Sequence, residues 1–347
     1  MLTRSVAAVL TFLSLGAGAS VSYAQTGGSW GWGTGPGAQG NTYGPGYTTP
    51  PVMAPPSSRS QESSALEIGS LYGMSAAYGV GLGIWFDAET GISDPGLQFI
   101  PPVLMGVALP IGVYFLDDPP MPRGMPAAIA AGMFVGAGEG LGVWSFQFTR
   151  AKSEDAWGFR GASRAMALGG GLGAGAGFAM AYYMEPSPKS SFLLGSASLW
   201  GGVVGSMIGY GSTAKGIGYG LSNDSAALGG LVGYNIGVAA AAGLSAIYVP
   251  AWDSIGWMWA GAGIGAAAGL PVYLLYAGSD NPTKRGLIVH GVLISVGIAA
   301  GGIFSSALTD AYQASSIDNK PKFAEITTFG LMPVDGGMGV QLMGSLY

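Results

Sequence analysis

Residues 126–146 read PAAIAAGMFVGAGEGLGVWSF, an apolar stretch of span length with one ionisable side chain, Glu139. A bilayer's hydrocarbon core takes about 20 helical residues to cross, so the stretch has the length and polarity of a transmembrane helix. Its glycines at 132, 136 and 140 fall four apart. At helical pitch, residues four apart stack on one face, leaving a groove free of side chains into which a neighbouring backbone can move.

The same pattern recurs outward in both directions. Apolar stretches fall near residues 66–86, 100–116, 126–146, 163–183, 192–211, 226–247, 254–277 and 286–306, and the short loops between them hold most of the Pro, Asp, Lys and Arg. Glycine triplets accompany most of them: Gly169, Gly173 and Gly177; Gly201, Gly205 and Gly209; Gly229, Gly233 and Gly237; Gly261, Gly265 and Gly269. The first stretch carries Gly69, Gly73, Ala77 and Gly81, and the last Gly297, Gly301 and Ser305, while the second has Pro110 and no triplet. Trp85, Tyr114, Trp144, Tyr182, Tyr183, Tyr210, Tyr248, Trp252, Trp257, Tyr273 and Tyr276 gather at the ends of the stretches. Amphipathic rings favour the headgroup level, so they support these boundaries. The expected fold is therefore an all-α membrane protein, a bundle of about eight Gly/Ala-rich transmembrane helices over residues 65–308.

Composition agrees. Only 9% of the 347 residues are charged and 49% are hydrophobic, which is too little polar surface for a water-soluble domain of this size. Glycine accounts for 64 residues, more than twice its ordinary share of about 7%. The net charge is -5 and the 13 basic residues are scattered. Nucleic acid needs a basic footprint, so it is not an expected partner. With one histidine and no cysteine there is no thiolate or zinc ligand set and no nucleophile–histidine motif, and no phosphate-binding loop is present. No enzyme activity, cofactor or metal is expected. Gly171-Leu-Gly173-Ala-Gly-Ala176 has dinucleotide-fingerprint spacing, but no strand or ribose-binding acid accompanies it.

The two ends differ from the middle. Residues 1–24 have Arg4, an apolar run from Val6 to Leu15 and a small-residue end at Ser22-Tyr23-Ala24, the pattern of a cleaved signal peptide. Residues 25–64 are rich in Gly, Pro and Ser without period and read as a disordered tail, with Trp30, Trp32, Tyr43 and Tyr47 as sticky points. Residues 309–347 hold two apolar runs around Asp335-Gly336-Gly337, which is turn chemistry for a short β-hairpin. The alternative fold is an outer-membrane β-barrel, because Gly79-Val80-Gly81-Leu82-Gly83 and Gly216-Ile217-Gly218-Tyr219-Gly220 alternate as strands do. The run Val238-Ala239-Ala240-Ala241-Ala242 is a poor strand and favours helices.

An exported chain with eight spans puts Arg150, Lys152, Arg160, Arg164, Lys215, Lys284 and Arg285 on the inner side and only Arg123 and Lys189 opposite. That asymmetry follows the positive-inside rule and argues for the inner membrane. A cleaved signal followed by weakly apolar spans argues for the outer membrane, which is slightly favoured. Through its leader, its zipper triplets and the span from Gly195 to Gly211, the chain resembles the uncharacterised exported glycine-zipper integral membrane proteins of Gram-negative bacteria. That resemblance brings no known activity.

Three side chains stand out inside the spans: Glu139, Asn235 and His290. Strongly polar groups are expensive in hydrocarbon, so each marks a candidate intramembrane polar site. Glu139 lies about 60 to 100 degrees from its zipper face, Asn235 points away from Gly233 and Gly237, and His290 shares a face with Gly297 and Gly301. The bland reading of each is a hydrogen-bonded packing residue; the sharper one joins Glu139 to His290 in a proton-linked site. The expected role is a structural or interaction scaffold of the envelope, in contact with the lipid bilayer and with further copies or other envelope proteins. A channel or transporter is the alternative.

Overall fold

The computed structural model describes residues 62–213, 224–277, 285–308, 324–334 and 337–346. The expected signal peptide, nearly all of the expected tail and the unit Met1–Pro56 lie outside them, as do Lys215, Lys284 and the alternating run from Gly216 to Gly220.

Eight α-helices make up the described body: α1 Ala65–Thr90, α2 Ile100–Leu116, α3 Met125–Arg150, α4 Phe159–Met184, α5 Pro188–Gly211, α6 Asp224–Ile247, α7 Trp252–Ala277 and α8 Arg285–Leu308. Their ends follow from local chemistry. Ser64 caps α1 in a reciprocal box with Glu67, and Gly91 closes it in the left-handed region at φ 69°. Ser187 caps α5 and Pro188 opens it, where a missing N–H costs nothing. Pro110 and Pro271 sit inside α2 and α7, which continue through them.

Six of the helices are long and apolar enough to cross a membrane: α2 together with the 3₁₀ turn Leu97–Phe99, then α3, α5, α6, α7 and α8. The other two, α1 and α4, match them in length but carry Glu67, Asp87 and Glu89, or Arg160 and Arg164, near their ends. Large apolar side chains stand exposed on the outside, such as Leu172 at 76% and Leu275 at 74%. Water would penalise so much apolar surface and lipid does not. The chain is a multi-span helical membrane protein.

Consecutive helices pair into four antiparallel hairpins, α1–α2, α3–α4, α5–α6 and α7–α8. Contacts then run from hairpin to hairpin in chain order: α1 against α3 and α4, α3 against α5 and α6, and α5 against α8. Small apolar clusters sit at two of these joints, one around Leu71, Val113, Met121 and Ala130 between the first and second hairpins, the other around Leu193, Ala241 and Ile255 between the third and fourth.

The strand-like alternation at Gly79 to Gly83 is helical. Gly79 and Gly83, one turn apart, face α2 at Met105 and Pro102, while Gly81 looks into open space. The stripe Gly69, Gly73 and Gly81 of α1 likewise meets nothing, so the close-packed face of this helix is the other one. After α8 the described backbone holds two strands, β1 Ala324–Val334 and β2 Gly337–Leu346, paired antiparallel. Asp335 and Gly336 of the expected turn lie outside the described residues.

Candidate functional site

Three of the hairpins close glycine to glycine. Gly132, Gly136 and Gly140 on α3 meet the backbone of α4 at Gly173, Gly169 and Ala165; Gly177 meets Ala128. Gly201, Gly205 and Gly209 on α5 meet Gly233, Gly229 and Ser225 on α6, and Gly237 meets Ala197. Gly261 and Gly265 on α7 meet Gly297 and Leu293 on α8, and Gly301 meets Trp257. At each of these contacts a methyl group would overlap a carbonyl of the facing helix, so the separation is set by backbone against backbone. Dispersion between two bare ridges then takes the place of a side-chain core.

Gly269 departs from this pattern. Opposite it stands His290, so that a methyl group at 269 would meet an imidazole ring first and not a backbone carbonyl. The Tyr273 ring lies 6.5 Å from the imidazole, and Nε2 is buried without a hydrogen-bond partner among the described residues.

Glu139 and Asn235 meet each other. The Asn235 carboxamide donates to Glu139 Oε2 at 2.9 Å and to the Leu231 carbonyl at 3.0 Å, joining α3 to α6. Glu139 precedes the end of α3 at Arg150 by eleven residues, and Asn235 follows the start of α6 at Asp224 by eleven, so both lie about 16 Å from the same side of the bundle. His290 follows Arg285 by five and sits about 8 Å from that side, in another hairpin. The structure brings Glu139 to Asn235 and leaves His290 with Gly269 and Tyr273. Asn235 is exposed and Glu139 half-buried.

Several polar contacts lie outside the apolar-run reading. Tyr234, next to Asn235, passes its ring through the gap at Gly138 and donates its hydroxyl to the Val135 carbonyl at 2.9 Å. Tyr78 does the same from α1, lying on Gly170 of α4 and donating to the Ala167 carbonyl. These two tyrosines lock the first and third hairpins to the second. Glu67, 2% exposed, accepts from Ser64 and from the Gly124 backbone N–H at the start of α3. Its signal in the sequence is the capping-box spacing Ser64-Ala65-Leu66-Glu67. Trp259 donates to Ser196 at 3.2 Å and meets Trp200 edge to face at 5.0 Å.

At the end holding Arg160 and Arg164, α4 grips the C-terminus of α1. Arg164 makes a forked pair with Glu89, with Nη2 to Oε2 at 2.7 Å, and Arg160 Nε donates to the Ala88 carbonyl at 2.8 Å. The guanidinium of Arg164 holds the Glu89 carboxyl below its ordinary range. Trp144 and Gln147 tie the α3–α4 loop through the Trp157 and Asp155 carbonyls. Among the described residues, no group of three or more histidine, aspartate or glutamate side chains could hold a metal ion.

No protein-family model, curated protein or solved structure matches the chain.

Proposed function

We propose that this chain is a structural scaffold of the cell envelope, a rigid eight-helix membrane body that associates with further copies or other envelope proteins and carries out no chemistry of its own. The observation behind this reading is the zipper contact in three successive hairpins, where bare helix ridges meet. Bundles held backbone to backbone are stiff, and any side chain introduced at the seam strains them.

All eight helices cross the membrane in this reading, α1 and α4 included. At 26 residues each they are about 39 Å long, enough for the hydrocarbon core. Their weaker apolarity supports passage through the inner membrane and favours the outer one; the basic side chains gathered at one end are the argument for the inner. Separation of inner and outer membranes on a density gradient decides between them.

A second reading, a channel or transporter, is favoured by the Glu139–Asn235 pair near mid-depth. Against it, α2 and α7 run unbroken through Pro110 and Pro271, whereas transporter sites are typically built on interrupted helices.

Proteoliposomes separate the two. The scaffold reading expects no selective ion or dye flux and a stable oligomer in mild detergent. Flux that is pH-dependent in the wild type and lost in Glu139→Gln would replace it with the transporter.

A further inference from the structure

We infer that the face of α3 and α6 bearing Glu139 and Asn235 is where a second copy of this chain docks, the two copies related by a two-fold axis along the membrane normal. This deepens the scaffold reading and rests on it.

The pair's position carries the inference. Asn235 is exposed and Glu139 half-buried, about 16 Å in from the helix ends, so in a bilayer their polar atoms look into hydrocarbon. Neither side chain is long enough to reach the headgroups, and polar atoms at that depth normally face protein or a water-filled cavity. The residues flanking them on α6 are apolar and exposed, Val232 at 49% and Ile236 at 63%, so the surface beside the pair on that helix is apolar.

A second copy suits this face by symmetry. Two copies inserted in the same direction can share only a two-fold axis parallel to the membrane normal, which keeps every residue at its own depth. Because Glu139 and Asn235 are level, each carboxyl meets the other copy's carboxamide. The hydrogen bonds then close without cost to the backbone. Leu231, which accepts the second Asn235 hydrogen, also lies four residues before it and takes its helical N–H. Released from Leu231, that hydrogen goes to Oε1 of the other copy's Glu139, and the reciprocal bond closes a ring of two carboxyls and two carboxamides. An unrelated partner would have to supply a donor at the same depth. Exposed Ala239, one turn from Asn235, and Gly243, with open space beside it, let the two α6 helices approach.

The absence of cysteine makes the test clean. The full chain, carrying Ala239→Cys, is reconstituted in phosphatidylethanolamine–phosphatidylglycerol vesicles at low protein density and oxidised; Leu172→Cys on the exposed side of α4 is the control. Ala239→Cys gives a disulfide-linked dimer and Leu172→Cys does not. By single-molecule photobleaching the wild type bleaches in two steps. Asn235→Leu weakens the dimer by about tenfold or more. Helix content and melting temperature verify that this variant folds, and Ala239→Trp, at an exposed position, breaks the same contact by bulk. Dimers that survive Asn235→Leu and Ala239→Trp, or equal crosslinking at both cysteines, overturn this face and leave the scaffold standing. A wild type that bleaches in one step at every density overturns both.

Discussion

His290 on α8 lies against Gly269 on α7, its ring and Cα in the space a methyl group at 269 would take. Here a side chain faces the zipper glycine, and the absence of a side chain at 269 is what makes room for it. Gly269→Ala should therefore lower stability by about 1–3 kcal/mol, the usual cost of overpacking. Gly263→Ala, on the same helix with nothing nearby, should change it by less than about 1 kcal/mol. Thermal unfolding in detergent measures both, and Gly269→Ala combined with His290→Ala should recover part of the loss.

The zipper seams make a sharper contrast within α4. A methyl at Gly173 would run into the Gly132 carbonyl, whereas Gly175 looks into open space. Gly173→Ala is expected to separate α3 from α4 and cost about 1–3 kcal/mol; Gly175→Ala is expected to be neutral or slightly stabilising through helix propensity. Equal melting temperatures for the two variants would remove the backbone-contact account.

The tyrosine latches are tested by deleting one atom. Tyr234→Phe keeps the ring in the Gly138 gap and removes the hydroxyl bond to Val135. Bonds of this kind inside membranes contribute on average about 0.6 kcal/mol, so a drop of that order is expected by reversible denaturant unfolding. Tyr78→Phe should behave alike. Alanine at either position should cost several times more, because the ring is lost too.

A pH dependence follows from Glu89. Arg164 lowers its folded-state pKa, so the folded protein holds the carboxylate more tightly than the unfolded chain does. The stability from this pair is fully present above the ordinary carboxylate pKa and is lost as the pH falls through the lowered folded value. Wild type should therefore melt above Glu89→Gln at neutral pH, with the gap closing in acid below about pH 4. Because the pair is exposed, added salt should also shrink the gap.

Helical character and helix positions were legible because apolar length and four-residue glycine spacing are local properties. The eight helices begin and end within four residues of the apolar stretches, most often extending past them; α3, for example, runs on through Gln147 and Arg150. Hydropathy alone carries less far, since α1 and α4 form helices of the same length without the apolarity of the other six. Which glycine stripe of α1 would be used was not legible. Gly69, Gly73 and Gly81 form one stripe and Gly79 and Gly83 another, and the fit of α2 around Pro102 and Gly106 selects the second. At the candidate site, Glu139, Asn235 and His290 could each be picked out as costly polar groups. Their grouping could not, because it depends on which hairpins adjoin, and Glu139 and Asn235 are 96 residues apart. Glu67 hides for a different reason: a helix-capping carboxylate at the edge of an apolar run looks like an ordinary boundary residue until Gly124 is seen to share it.

Each hairpin is closed by helices that follow one another in the chain, and this bears on how the protein enters lipid. Residues that must meet emerge from the ribosome within a few tens of residues of each other, so every seam can shut before the next pair is made. The two helices that are poor candidates to partition alone, α1 and α4, each belong to a pair whose other member is a good one. On the eight-span reading proposed above, the unit that partitions is thus the pair, four of them in chain order.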